Sequence, residues 1–150
     1  IVPLLKDEVN VEYYRFSRNF SHFPADFDLK YLFVRYVDIE DGQGYRFAEI
    51  QRKAKKVYEE KMPDRTKGVY WNEFNTNDGR DVMMVWFFDD LKWMGEGPNF
   101  ANHFRETHNG GWVSYRKEAA AAVKSSVEVM ATYLPAMGGA SSTIVSAERQ

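Results

Sequence analysis

Two apolar runs, residues 69–74 and 82–88, flank an Asp78-Gly79 dipeptide and carry aromatic or β-favouring side chains on both faces. Asp-Gly is a strong turn signal, because glycine takes positive φ without steric cost. The pattern predicts two strands joined by a two-residue turn, with Trp71 opposite Trp86 and Glu73 opposite Met84. One face then carries Val69, Trp71, Glu73, Val82, Met84, Trp86 and Phe88; the other carries Tyr70, Asn72, Phe74, Met83, Val85 and Phe87. A turn at Asn77-Asp78 would move the pairing by two positions and keep the same facing.

Residues 30–39 predict a further strand, with Leu32, Val34 and Tyr36 on one side and Tyr31, Phe33, Arg35, Val37 and Ile39 on the other. Residues 45–62 predict an amphipathic helix, since Phe47, Ile50, Ala54, Val57 and Tyr58 recur at helical spacing until Pro63 ends it. Residues 99–107 predict a short helix. Residues 112–134 predict the longest one, with Ala119, Val123, Val127, Met130 and Leu134 on one stripe and Pro135 and Gly138-Gly139 as its stop. Residues 142–147 read as a short closing strand. Ahead of all these, residues 1–29 form an irregular arm: Val9, Val11 and Tyr13 alternate enough for a short strand, and Phe16, Phe20 and Phe23 read as rings laid on the body.

From residue 30 onward the order is strand, helix, strand, strand, helix, strand. This is the α+β, ferredoxin-like βαββαβ arrangement, an antiparallel sheet with both helices on one face. The opposite face stays apolar and aromatic, too large an exposure for a lone domain. A second sheet is expected over it, and a twofold homodimer is the simplest source. The organisation is therefore an arm or linker over residues 1–29 and one domain over residues 30–150.

The strand at residues 30–39, followed by Asp41-Gly42-Gln43-Gly44 and Phe47, resembles the first strand and helix start of the dimeric α/β barrel superfamily, which includes antibiotic-biosynthesis-monooxygenase-like and NIPSNAP-like domains. Asp41-Gly42 stands where proline-glycine is common in that superfamily. The resemblance covers about residues 30–147 and implies a homodimer whose sheets pair into a barrel. Its members range from cofactor-independent monooxygenases to haem-degrading enzymes to proteins without known activity, so it supplies no mechanism. Tyr13-Tyr14-Arg15 and Pro24-Ala25-Asp26-Phe27 resemble the linker ahead of the second half of tandem exported members. That similarity favours a periplasmic or extracellular protein, or a longer one; a start at Ile1-Val2-Pro3 fits a removed leader or a fragment.

Composition narrows the partners. A net charge of −2 argues against nucleic acid, and no apolar run reaches membrane-spanning length. The absence of cysteine removes disulfides, thiolate nucleophiles and cysteine-ligated metals.

Arg35 and Glu73 are lone charges inside apolar strands; each either reaches solvent or faces a cavity and orients a polar ligand group. Trp71, Met84 and Trp86 make an aromatic wall, either core or the side of a cleft for a flat hydrophobic molecule. Glu73 and His103 are the candidate catalytic bases. Arg35, Trp71, Met84, Trp86 and His108 are the candidate ligand contacts. His103 and His108 are five apart, not the four that would place both imidazoles on one helical face, so no metal site is expected. No cofactor is expected, haem entering only through the resemblance. The leading function is small-molecule binding, monooxygenase-like chemistry on a hydrophobic or aromatic compound being its enzymatic form, with the site between paired sheets. The alternative is a non-catalytic protein that uses the apolar sheet to assemble.

Overall fold

The computed structural model describes residues 12–27, 29–74, 78–92, 99–132 and 134. At the middle of its sheet lies β2 (Tyr31–Ile39), paired antiparallel with β4 (Val82–Phe88) on one side and β5 (Val123–Thr132) on the other. β3 (Gly68–Asn72) pairs with the far side of β4, and β1 (Tyr14–Phe16) adds to β3. The result is an open five-stranded antiparallel sheet of order β1-β3-β4-β2-β5. Helix α1 (Gly44–Lys61) connects β2 to β3, and α2 (Phe100–Thr107) and α3 (Trp112–Ala122) lie between β4 and β5.

The expected facing of β2, β3 and β4 holds. Val37, Val69, Val82, Met84 and Trp86 share one buried cluster with Phe47, Ile50, Val57 and Tyr58 of α1 and Phe104 of α2. Gly42 takes φ +73° to turn the chain from β2 into α1. The α1 stripe buries the five expected apolar residues and one polar one, Gln51.

Two expectations need correction. Trp71 pairs with Val82, not Trp86, and the connection from β3 to β4 runs over residues 73–81. Its ends are tied by side chains: Asn72 Oδ1 accepts from Phe74 N, and Asp78 Oδ1 accepts from Arg80 N. These local bonds offer the backbone an alternative to further ladder. The shift is by an even number of residues, which is why the facing survived.

The helix expected over residues 112–134 stops at Ala122, and Val123 is already extended at φ −112°, ψ 120°. The four-residue spacing of Val123 and Val127 satisfies a helix and, being even, a strand equally. Beyond the alanines the chain is rich in valine, serine and threonine, poor helix formers. Nine cross-strand pairs with β2, from Tyr31↔Thr132 to Ile39↔Val123, decide it. The closing strand over residues 142–147, the stop at Pro135 and Gly138-Gly139, and the alternation at Val9 and Val11 lie outside the described residues.

The arm packs as expected. Phe23 meets Phe16, Phe27 and Phe87 at ring separations of 5.7–5.9 Å and so covers part of the sheet face away from the helices. Gly68 makes room for it: a Cβ there would lie 2.8 Å from Tyr70 and 3.1 Å from Phe23. The same face stays open at β5, where Val127 and Val129 are 59% and 46% exposed.

Candidate functional site

Strand parity aims Phe33, Arg35, Met84 and Trp86 at the helices, and helical spacing aims Ile50, Gln51, Ala54 and Tyr58 of α1 back at the sheet. Between these layers lies a cavity of about 720 Å³, closed further by Phe100 of α2 and Trp112, Tyr115 and Ala119 of α3. Small-molecule sites commonly enclose about 300–1,000 Å³. The space lies between sheet and helices rather than between two sheets.

Its lining is mostly aromatic and aliphatic, with a few polar groups. Arg35 stands directly opposite Glu128 on β5 and donates from Nε to Oε1 at 2.8 Å. The Arg35 guanidinium also lies 5.9 Å from the Phe33 ring centre and 5.7 Å from that of Trp86, within cation–π range. Both members of the ion pair are partly exposed, so this marks the wet end of the cavity.

Tyr58 and Trp86 are buried, and the indole Nε1 donates to the tyrosine hydroxyl at 2.9 Å. Burial pushes the Tyr58 phenol up to about 12, against the opposing pull of the Trp86 hydrogen bond and of the Arg65 and Arg35 charges. Burial likewise raises Tyr115, with Tyr58 adding to the shift.

Lys67 is the most unusual group in the lining. Only 2% of it is exposed, and its Nζ donates to the Phe20 carbonyl at 3.0 Å. Its backbone is clamped to the arm, with Lys67 N donating to His22 O at 2.7 Å and His22 N to Lys67 O at 2.8 Å. Among the described residues no carboxylate pairs with it. Burial, and then the charge of Lys55, bring its pKa down to about 7. Gln51 is 4% exposed, and its Oε1 accepts no hydrogen bond among the described residues.

Of the residues singled out from sequence, Arg35, Met84 and Trp86 meet in this cavity. Trp71 shares their face of the sheet but packs on Phe20 and Phe47, at 6.2 and 5.9 Å, outside the lining. Glu73 stands just past the end of β3, exposed and paired with Arg15 at 2.6 Å. His103 sits on α2 with Nδ1 buried and unpartnered among the described residues. His108 follows α2, its ring 4.4 Å from that of Phe104 and its Nε2 3.0 Å from Lys53 O, which fastens α2 to α1. None of these last three lines the cavity.

Among the described residues no three His, Asp or Glu side chains gather as a metal site. With every histidine outside the lining, the cavity does not fit a haem held by an imidazole, and no step is derived through one.

Lys67, Gln51, Tyr58 and Tyr115 are lining residues beyond those singled out from sequence. Lys67 had a signal, since 67, 69 and 71 share one strand face, so the parity of Val69 and Trp71 extends inward to the lysine. Gln51 sits four residues from Phe47 and three from Ala54, inside the apolar stripe. A hydrophobic molecule held here would lie between aromatic walls, with Arg35 at the wet end and the buried Lys67 and Gln51 in the lining. No family model, curated protein or solved structure matches this chain.

Proposed function

We propose that this chain is a small-molecule-binding protein of the ferredoxin-like, dimeric α/β-barrel type, whose cavity takes a hydrophobic aromatic compound. The carrying observation is the cavity of about 720 Å³ with Phe33, Trp86, Phe100 and Trp112 in its walls. Support for the ferredoxin-like frame comes from the strand order β3-β4-β2-β5, in which β4 separates the two strands joined by α1. The uncovered Val127 and Val129 support pairing of the open sheet face with a second copy. The enzymatic form of this reading, cofactor-independent monooxygenation, would draw its base from the cavity lining, where neither Glu73 nor His103 stands.

Calorimetric titration with a neutral bicyclic aromatic such as 2-naphthamide tests the reading. Saturable binding at one site per chain is expected, weakened in an Ala119→Trp variant that fills the cavity from α3. Absence of saturable binding to the wild-type protein would leave the assembly-only alternative, in which the apolar sheet serves oligomerisation alone.

A further inference from the structure

A lysine this deeply buried ordinarily carries a carboxylate partner, because an isolated ammonium in an apolar interior is costly. Lys67 lacks one among the described residues, yet it lines an open cavity. Among the described residues Nζ donates to a neutral carbonyl, Phe20 O, at 3.0 Å. In the same lining the buried Gln51 Oε1 stands without a donor among the described residues. An amine in need of an anion and a carbonyl in need of a donor, within one aromatic enclosure, describe the ligand's polar end.

We infer that the cavity selects a hydroxylated aromatic acid, its anionic oxygen pairing with Lys67 Nζ and its hydroxyl donating to Gln51 Oε1. This rests on the cavity being a small-molecule site and adds the class of molecule. The aromatic body lies against Phe33, Trp86, Phe100 and Trp112. The other titratable and charged groups facing Lys67 or the cavity are Lys55 and Tyr58 of α1, His22 of the arm, and the Arg35–Glu128 pair and Arg116 of the cavity lining. Arg35 is already matched by Glu128 and Arg116 is exposed, which leaves Lys67 as the buried amine of the lining that a ligand anion would pair with.

A proton follows the ligand. At about pH 8, above its pKa of about 7, the free amine is largely uncharged, while an amine beside a bound anion holds its proton. Binding of the ionised acid, RCOO⁻ plus RNH₂ plus H⁺ from solvent giving the RCOO⁻/RNH₃⁺ pair, therefore takes up a proton. The neutral amide of the same skeleton takes up none.

The test titrates the full chain with 6-hydroxy-2-naphthoic acid and with 6-hydroxy-2-naphthamide at about pH 8, in two buffers of different ionisation enthalpy. The acid is expected to bind at least about tenfold more tightly than the amide and to take up close to one proton per ligand. In Lys67→Met the preference and the uptake both vanish; in Gln51→Leu both ligands weaken and the uptake persists. Equal binding of acid and amide by the wild-type protein, or acid binding without proton uptake, overturns the inference and leaves the cavity reading standing. Failure of both ligands to bind overturns the two together. The wild-type proton count decides the matter even if Lys67→Met does not fold.

Discussion

The Trp86 indole donates to the Tyr58 hydroxyl at 2.9 Å, joining β4 to α1 through two buried polar groups. Tyr58→Phe removes the acceptor and leaves a buried N–H behind. The expected loss is about 1–3 kcal/mol of folding stability, the desolvation cost of an unmade hydrogen bond. Urea denaturation checks it, with an unchanged m value showing that the fold survived.

Lys67 makes stability depend on pH in a definite direction. Its folded pKa, about 7, lies below the ordinary 10.5, so between those values the unfolded chain binds more protons than the folded one. Stability from this group therefore rises with pH across that window, by up to about 1.4 kcal/mol per unit. Lys67→Met lacks the burden. Its stability advantage over wild type should be greatest near about pH 6 and shrink toward about pH 9, as urea midpoints at both values will show.

The open side of the sheet offers a third test. Val127 and Val129 pair with Tyr36 and Val34 across the β2–β5 ladder and leave an apolar strip exposed. Light scattering is expected to show a dimer for the wild-type chain and a monomer for Val127→Asp/Val129→Asp. The double variant should keep its far-ultraviolet circular dichroism, because neither side chain is in the buried cluster.

The Arg35–Glu128 pair should contribute little to folding, since both side chains are partly exposed and water screens them. A double-mutant cycle with Arg35→Met and Glu128→Gln is expected to give a coupling below about 1 kcal/mol. A much larger value would mean that the wet end of the cavity is drier than its exposure indicates.

Much of the frame was legible before any coordinates. β2, β4 and α1 each show one clear period, so the sides of Arg35, Met84 and Trp86 followed from counting. β5 was not legible, because the spacing of Val123 and Val127 fits a helix and a strand alike; only the ladder with β2 separates them. The hairpin register escaped because Asn72 and Asp78 spend their side chains on local backbone bonds that apolar patterning does not register.

The cavity between sheet and helices was not legible, for a different reason. Larger side chains on the helices would fill the space over their face of the sheet. Ala54 on α1 and Ala119 and Ala120 on α3 are too small to do so. Leftover volume is a property of three packed elements at once, which no single stretch of sequence displays.

Chemical-shift mapping with the neutral 2-naphthamide bears most directly on where this protein holds a ligand. Perturbations are expected at the Trp86 Nε1–H and at the amides of Met84 and Ala119, with Val127 and Val129 unmoved. Shifts confined to Val127, Val129 and their neighbours on the open face, or none at all, would contradict the account.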